Sequence, residues 1–275
     1  MNIYTSFSRN FFAVLAALSA AFSVFGQVTI VVPYAAGGPS DSLARLVAPA
    51  MQLSLKQPVN IMSILGNQGV TGALHVAKAP PDGLTVLYAD LAVANALKAA
   101  NPSVSLLDSF DAIGIIGELP LVLLTSKTGR VTDLNQLRNG GRIGSSETGS
   151  ISQGCASILQ KALPGSIHIP YKGTGPVITA VMNGEVDVAC INADRNVHTV
   201  RVLAISQPSS NSFLKGIRTF KDQGINIEHK GIIGLFVVKG VAPEKSRALE
   251  AAFATAMSDP VLRARLTQDF FLQLD

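Results

Sequence analysis

The chain has 275 residues, 48% of them hydrophobic and only 15% charged, with a formal net charge of +4 and no tryptophan. That length holds two ordinary α/β domains or one large one, and the composition supports a sizeable core and excludes long disordered tails. No cluster of Lys and Arg with interleaved aromatics occurs, which excludes nucleic acid as the expected partner.

The first stretch reads as a targeting segment. Arg9 precedes the apolar run Phe11 to Phe22, and small residues surround Gly26. That is the pattern of a secretory signal peptide, expected over residues 1–26 with cleavage near Gly26. The run is shorter than the roughly 20 apolar residues of a spanning helix. The mature protein is expected to be soluble and exported.

Val28 to Val32 is a β-branched run of the kind that fills a buried parallel strand, and Pro33 ends it. Gly37-Gly38 allow a tight turn with nothing projecting from it. Ser40 and Asp41 are N-cap residue types, and Leu43, Leu46, Val47 and Ala50 follow at helical spacing. Strand, bare turn and helix start together bring unpaired N–H groups and the positive end of a helix dipole to one point, which suits a carboxylate or phosphate. The Walker pattern and the Gly-x-Gly-x-x-Gly fingerprint are both absent.

Pro58 to Ile64 is a second strand, leading into the glycine-rich turn Gly66 to Ala73 and a helix through Ala79. Pro80 to Gly83 is a turn and Leu84 to Tyr88 a third strand. This βαβαβ alternation predicts a mostly parallel sheet covered on both faces, with ligand sites outside the carboxyl ends of its strands. Two apolar runs follow, Asp111 to Gly117 and Leu121 to Ser126, split by Glu118-Leu119-Pro120.

A second alternating series comes next. Leu134 to Arg138 suits a short helix and Arg142 to Ser145 a strand, and Glu147-Thr148-Gly149-Ser150 is a turn opening a helix through Leu163. Ile167 to Ile169 is a strand, and Pro170 to Pro176 a turn opening the helix Val177 to Asn183. Val186 to Cys190 is a strand, Asn192 to His198 a polar loop, and Val200 to Ile205 is strand-like. Ile232 to Val238 is apolar and extended, and two helices follow, Pro243 to Met257 and Asp259 to about Gln268.

Cys155 and Cys190 are the only cysteines. An oxidising compartment would let them pair, closing a loop worth about 3–4 kcal/mol in the chain-entropy model. The reading preferred here leaves them unpaired, with Cys190 ending a buried strand and Cys155 packed on a helix. No Cys or His pair has metal-ligand spacing, and no cofactor is expected.

The order of these motifs resembles the Bug/TctC-type substrate-binding receptors of tripartite tricarboxylate transporters. The likeness is carried by residues 32–41 (Val-Pro-Tyr-Ala-Ala-Gly-Gly-Pro-Ser-Asp), Asn67 to Gly72, Pro81 to Leu87, His168 to Gly173, and Asn183 to Asp187. It implies an α/β, two-lobed periplasmic-binding-protein-like (type II) fold with two crossover strands and an interlobe ligand cleft. The crossovers would be Leu121 to Ser126 and Ile232 to Val238. Residues 27–121 plus 232–275 would form the first lobe and 122–231 the second. The implied function is an exported, monomeric receptor that captures a small organic acid and delivers it to two integral-membrane subunits. The chain departs from the family pattern in a short connection between Cys190 and Val200, in Lys230 before Gly231, and in stopping at Asp275 short of the final segment most members carry.

The expected ligand-binding residues are Tyr34, Ala36, Gly37, Gly38, Ser40, Asp41, Gly69, Thr71, Thr148, Ser150, Tyr171, Gly173, Thr174 and Arg195. Asp41 would organise the first turn, or act simply as an N-cap. Thr148 and Ser150 would donate to a carboxylate, or cap a helix. Lys172 to Gly175 would form a backbone nest or a plain turn. Arg195 would clamp a distal carboxylate, or lie solvated on the surface. A sensory receptor with the same pocket is an alternative. A cleft hydrolase or isomerase has less behind it, because His75, His168, His198 and His229 are scattered and no Gly-x-Ser-x-Gly elbow occurs. An enzyme would show a His or Cys at hydrogen-bond distance from Ser40 or Thr71.

Overall fold

The structure is a computed structural model that describes residues 26–102, 104–146, 150–193, 195–227 and 230–274. The expected signal peptide therefore lies almost wholly outside the described residues. Strand β1 (Val28–Val32) leads through the first glycine turn into helix α1 (Pro39–Leu55), and β2 (Val59–Ser63) leads into α2 (Val70–Ala77). β3 (Thr85–Asp90) runs straight into α3 (Leu91–Ala100), a helix the sequence reading passed over, and the short α4 (Leu106–Ser109) follows. β1 lies between β2 and β3, parallel to both, with Val32 opposite Ser63 and Val31 opposite Leu87.

β4 (Phe110–Thr125) is one continuous strand where the sequence predicted two runs split at Pro120. Pro120 does not break it because it stands where β4 changes partners. Before it, residues Phe110 to Pro120 pair with β9 (Lys230–Val238), and from Leu121 onward β4 pairs with β7 (Val188–Asn192). A missing N–H costs little at such a junction, and the Pro120 carbonyl still accepts from the Ala193 N–H at 2.9 Å.

The second series follows the expected order: β5 (Gly141–Ser145), α5 (Ile151–Ala162), β6 (Ser166–Pro170), α6 (Thr174–Met182), β7, and β8 (Arg201–Ile205), which pairs antiparallel with β4. The predicted loop after β7 contains a 3-10 turn, Arg195–Thr199. After β9 come α7 (Pro243–Ser258) and α8 (Pro260–Asp269). The strand order is β2-β1-β3-β9-β4-β7-β5-β6. Apolar clusters lie on both faces of each half. Val28, Leu43, Val47, Met51 and Phe253 fill one face of the first half, and Val31, Val70, Leu87, Val93 and Phe236 the other. Leu121, Ile143, Leu159 and Phe220 fill one face of the second half, and Val122, Val177, Val181 and Ile205 the other.

Cys155 and Cys190 form a disulfide, with Cα atoms 6.2 Å apart, which corrects the unpaired reading. α5 packs over β7, so the inner face of the helix places Cys155 in the same buried cluster as Cys190. Sequence spacing alone does not reveal that crossing. Nearby, Asp187 ties the start of β7 to β5 by accepting from the Arg142 backbone N–H at 2.8 Å and its Nε at 3.2 Å. Burial works against that charge, but the Arg142 bonds hold the carboxyl below the usual carboxylate range.

The segment after α8 links the two halves. Phe271 is fully buried among Val122, Val197, Ile205 and Leu214 of the second half. Its neighbour Leu272 is buried with Ile113, Ile116 and Leu249 of the first. Phe271 adopts φ 59°, a left-handed conformation rare for a bulky residue, and that turn sends successive side chains into opposite cores. Gln273 then bridges Glu118 of β4 through both backbone groups, at 2.9 and 2.8 Å.

Candidate functional site

Strand direction and register locate the site. β3 ends at Asp90, opposite Ile233 near the start of β9. β7 ends at Asn192, opposite Leu121, one residue past the Pro120 junction. β5 ends at Ser145, opposite Cys190 of β7 and Pro170 of β6. The carboxyl ends of β1, β2 and β3 from one side, and of β5, β6 and β7 from the other, therefore converge on the stretch where β4 and β9 cross between the halves. The glycine turns after β1, β2 and β6 leave their strands at this line.

In the first turn, Pro39 occupies the first helical position, so the N-cap of α1 is Gly38, and no side chain caps it. Asp41 is not the cap. It is buried and fastens the turn from beneath: Oδ2 accepts from the Gly37 N–H at 2.9 Å, Arg45 binds both carboxylate oxygens at 2.8 and 3.1 Å, and the Ser63 hydroxyl reaches Oδ1 at 3.2 Å. The Arg45 bond, opposed by burial, holds the Asp41 carboxyl below its ordinary range. The Gly38 N–H is spent on the Ala35 carbonyl at 3.1 Å. Pro39 has no N–H, so the N–H groups left without a partner among the described residues of 36–40 are those of Ala36 and Ser40. The Ser40 hydroxyl bonds Tyr88. Tyr34 donates its hydroxyl to Asp90 Oδ2 at 2.6 Å and packs edge-on against Tyr88.

The second turn leaves β2. Gly69 is the N-cap of α2 at φ 91°, again without a capping side chain, and Thr71 is exposed in the first turn of that helix. A Cβ on Gly69 would stand 2.8 Å from Val93 Cγ2 and 3.2 Å from Pro33 Cβ, so glycine is needed for close approach as well as for its backbone.

On the facing side, Thr148 lies outside the described residues. Ser150 caps α5, accepting from the Gln153 N–H at 3.2 Å. Ser152 donates to the Cys190 carbonyl and accepts from the Ser146 N–H at 2.8 Å, fixing the first turn of α5 against β7. Tyr171 is partly buried, and its N–H donates to the Ser145 carbonyl at 2.9 Å. Gly173, at φ 111°, is the N-cap of α6 with no capping side chain, and Thr174 begins that helix. Arg195 opens the 3-10 turn after β7. The site side therefore presents three helix starts capped by glycine alone, at Gly38, Gly69 and Gly173.

Sequence reasoning missed two polar groups at the same ends. Asp90 caps α3, accepting from the Val93 N–H at 2.9 Å; an Asp between a strand and an apolar helix is itself an N-cap signal. Asn192, at the end of β7, keeps a buried Oδ1 with no partner. No His or Cys bonds Ser40 or Thr71 among the described residues. The hydroxyl–imidazole pair that does form joins Ser145 to His168 Nε2 at 2.7 Å. Ser145 is fully buried, and burial lowers the His168 pKa. This part-buried contact joins β5 to β6. His75 lies exposed in the last turn of α2, and His229 is outside the described residues.

A cavity of about 440 Å³ lies elsewhere, beside β8, lined by Thr132, Asp133, Val202, Arg218, Asp222 and Gln223. Its polar walls satisfy one another. Arg218 donates to the Asp222 carbonyl at 2.5 Å, and Gln223 to the Leu203 carbonyl at 3.0 Å. It lies away from the carboxyl ends of β1, β2 and β3 and of β5, β6 and β7. No group of three or more His, Cys, Asp or Glu fit to hold a metal occurs among the described residues, and no described helix is long and apolar enough to cross a membrane.

The chain is 32% identical over 256 residues to a UPF0065 protein of Agrobacterium vitis from the TAR-I ttuE-ttuC' intergenic region, covering 86% of this chain and 73% of the relative. It is 26% identical to protein BugT of Bordetella pertussis, covering 86% of this chain and 81% of that one. Among solved structures it resembles MatC of Rhodopseudomonas palustris with bound malate, with a TM-score of 0.73, 28% identity, and coverage of 88% of this chain and 87% of the other. The two-lobed fold of these periplasmic binding proteins matches the two halves joined by β4 and β9. Residues 43–272 match the tripartite tricarboxylate transporter family receptor, and the chain belongs to that family.

Proposed function

We propose that this receptor captures a small organic acid between its lobes, outside the inner membrane, and hands it to the two integral-membrane subunits of a tripartite transporter. The observation that carries this reading is the pair of glycine-capped, side-chain-free helix starts at Gly38 and Gly173, brought to the crossover one from each half; at the Gly69 start the N–H groups of Gly69, Val70 and Thr71 are spent on the Gly66 and Asn67 carbonyls. Backbone N–H groups at such points bind anions through the helix dipole and direct donors. Ala36 and Ser40 would donate from the first turn, and Gly173 and Thr174 from the facing one. Asp41 and Tyr34 would hold the first turn in shape, with Thr71, Ser150, Tyr171 and Arg195 around the ligand. Residues 27–121 with 232–275, and residues 122–231, are the bodies that would close on it. Residues 1–26 would direct export, and the receptor would work as a monomer. Malate, bound by MatC, is one acid of the expected kind.

A thermal-shift screen tests the reading. Small mono-, di- and tricarboxylates, malate and adipate among them, are compared with amines and neutral sugars. A cognate acid at 100 times its Kd is expected to add about 2.7 kcal/mol of stability. Stabilisation by sugars or amines, with none by any acid, would contradict it.

A further inference from the structure

We propose that Asp90 sets ligand specificity on the first lobe's side of the cleft, by filling the third helix start there with the protein's own carboxylate. This role rests on the carboxylate-binding reading above. Three helices leave the carboxyl ends of β1, β2 and β3. α1 opens on Gly38 with no capping side chain, α2 opens on Gly69 with its first N–H groups spent on the Gly66 and Asn67 carbonyls, and α3 opens on Asp90. Asp90 Oδ1 accepts from the Val93 N–H at 2.9 Å, and Oδ2 accepts from the Tyr34 hydroxyl at 2.6 Å. The donors that a ligand's carboxylate would seek at α3 are thus already taken, by the protein's own carboxyl group.

The turns on that side offer a second acid no cation. Residues 33–40, 64–71 and 90–93, which form the three turns, contain no Lys, Arg or His. The residues flanking Asp90 and its partner Ile233 are instead apolar and open: Leu91 is 38% exposed and Ile232 40%. On this side the cleft takes one carboxylate at the first glycine turn and, beside Asp90, an uncharged part of the ligand. A second carboxylate placed there would meet the Asp90 carboxyl, which burial already pushes above the usual carboxylate range, with no Lys, Arg or His in the three turns to offset the repulsion.

The test compares adipate with hexanoate, which share a six-carbon chain and differ by one acid group, on the wild-type protein, Asp90→Ser and Asp90→Asn. Serine keeps a capping oxygen for Val93, and asparagine keeps the side-chain size. Calorimetry is expected to show the affinity ratio of adipate over hexanoate rising at least about tenfold in both variants, with hexanoate itself changing less than about threefold. An unchanged ratio would overturn the assignment. So would an equal loss of both acids, which would make Asp90 a support of the Tyr34 turn and nothing more. If neither acid, nor any acid of the screen, binds any of the three proteins, the carboxylate reading itself fails and the Asp90 role falls with it.

Discussion

Replacing Phe271 with alanine is expected to lower the unfolding free energy by about 3–5 kcal/mol, the range for deleting a fully buried aromatic. For a protein of this size each kcal/mol moves Tm by about 2–4 °C, so the loss is easily read by calorimetry. The residue follows α8, which lies in sequence next to the first half's helices, yet its ring completes the second half's core. Leu272 is buried in the other core, and Gln273 bonds β4 between them. The substitution should therefore loosen the lobes relative to each other as well as destabilise the fold. Leu159→Ala removes a fully buried side chain from the second half's other cluster, which does not include Phe271, so it serves as the control. Spin-label distances between the lobes, taken without ligand, should broaden in Phe271→Ala and stay unchanged in Leu159→Ala. Equal distributions in the two variants would show that the segment merely fills space.

Asp41→Ala carries the largest expected effect on binding that leaves the cleft surface itself untouched. The carboxylate lies beneath the first turn and holds the Gly37 N–H, while Arg45 and Ser63 fix it in turn. Without it the turn loses a charge-assisted bond, of a kind worth about 1.5–3 kcal/mol. Passed on to the ligand, that is a loss of about ten- to a hundredfold in affinity. Arg45→Ala is the informative partner. It should cost less, because the Gly37 bond survives and Arg45 is half exposed. Calorimetry with the best acid of the screen separates the two; equal losses would show that the ion pair matters and the Gly37 bond does not.

Much of this fold is legible in the sequence because local chemistry and tertiary need agree there. Val28–Val32 is a strand by composition and by burial, and Gly69 and Gly173 stand where a positive φ is needed. The misreadings come from long-range circumstances. Pro120 looks like a break until β4 is seen to change partners on either side of it. Leu91–Ala100 follows its strand with Asp90 as the one punctuating residue, and its Ala/Leu-rich run has weak polar contrast, so it does not separate from its surroundings. The Cys155–Cys190 bridge depends on α5 lying across β7. At the site, Ser40 and Asp41 are N-cap types by rule, but Pro39 at the first helical position hands the cap to Gly38 and frees Asp41 to bond backward. Whether a turn's N–H groups are open or already spent, as at Gly37 and Gly38, can be read only from the folded chain.

Amide NMR during titration with the best acid of the screen tests whether an anion is held by open backbone N–H groups on both sides of the crossover. The resonances of Ala36, Ser40, Gly173 and Thr174 should shift together and saturate at one Kd, while those of Arg218 and Gln223 at the cavity beside β8 stay still. Saturable shifts confined to that cavity, or to one side of the crossover alone, would contradict it.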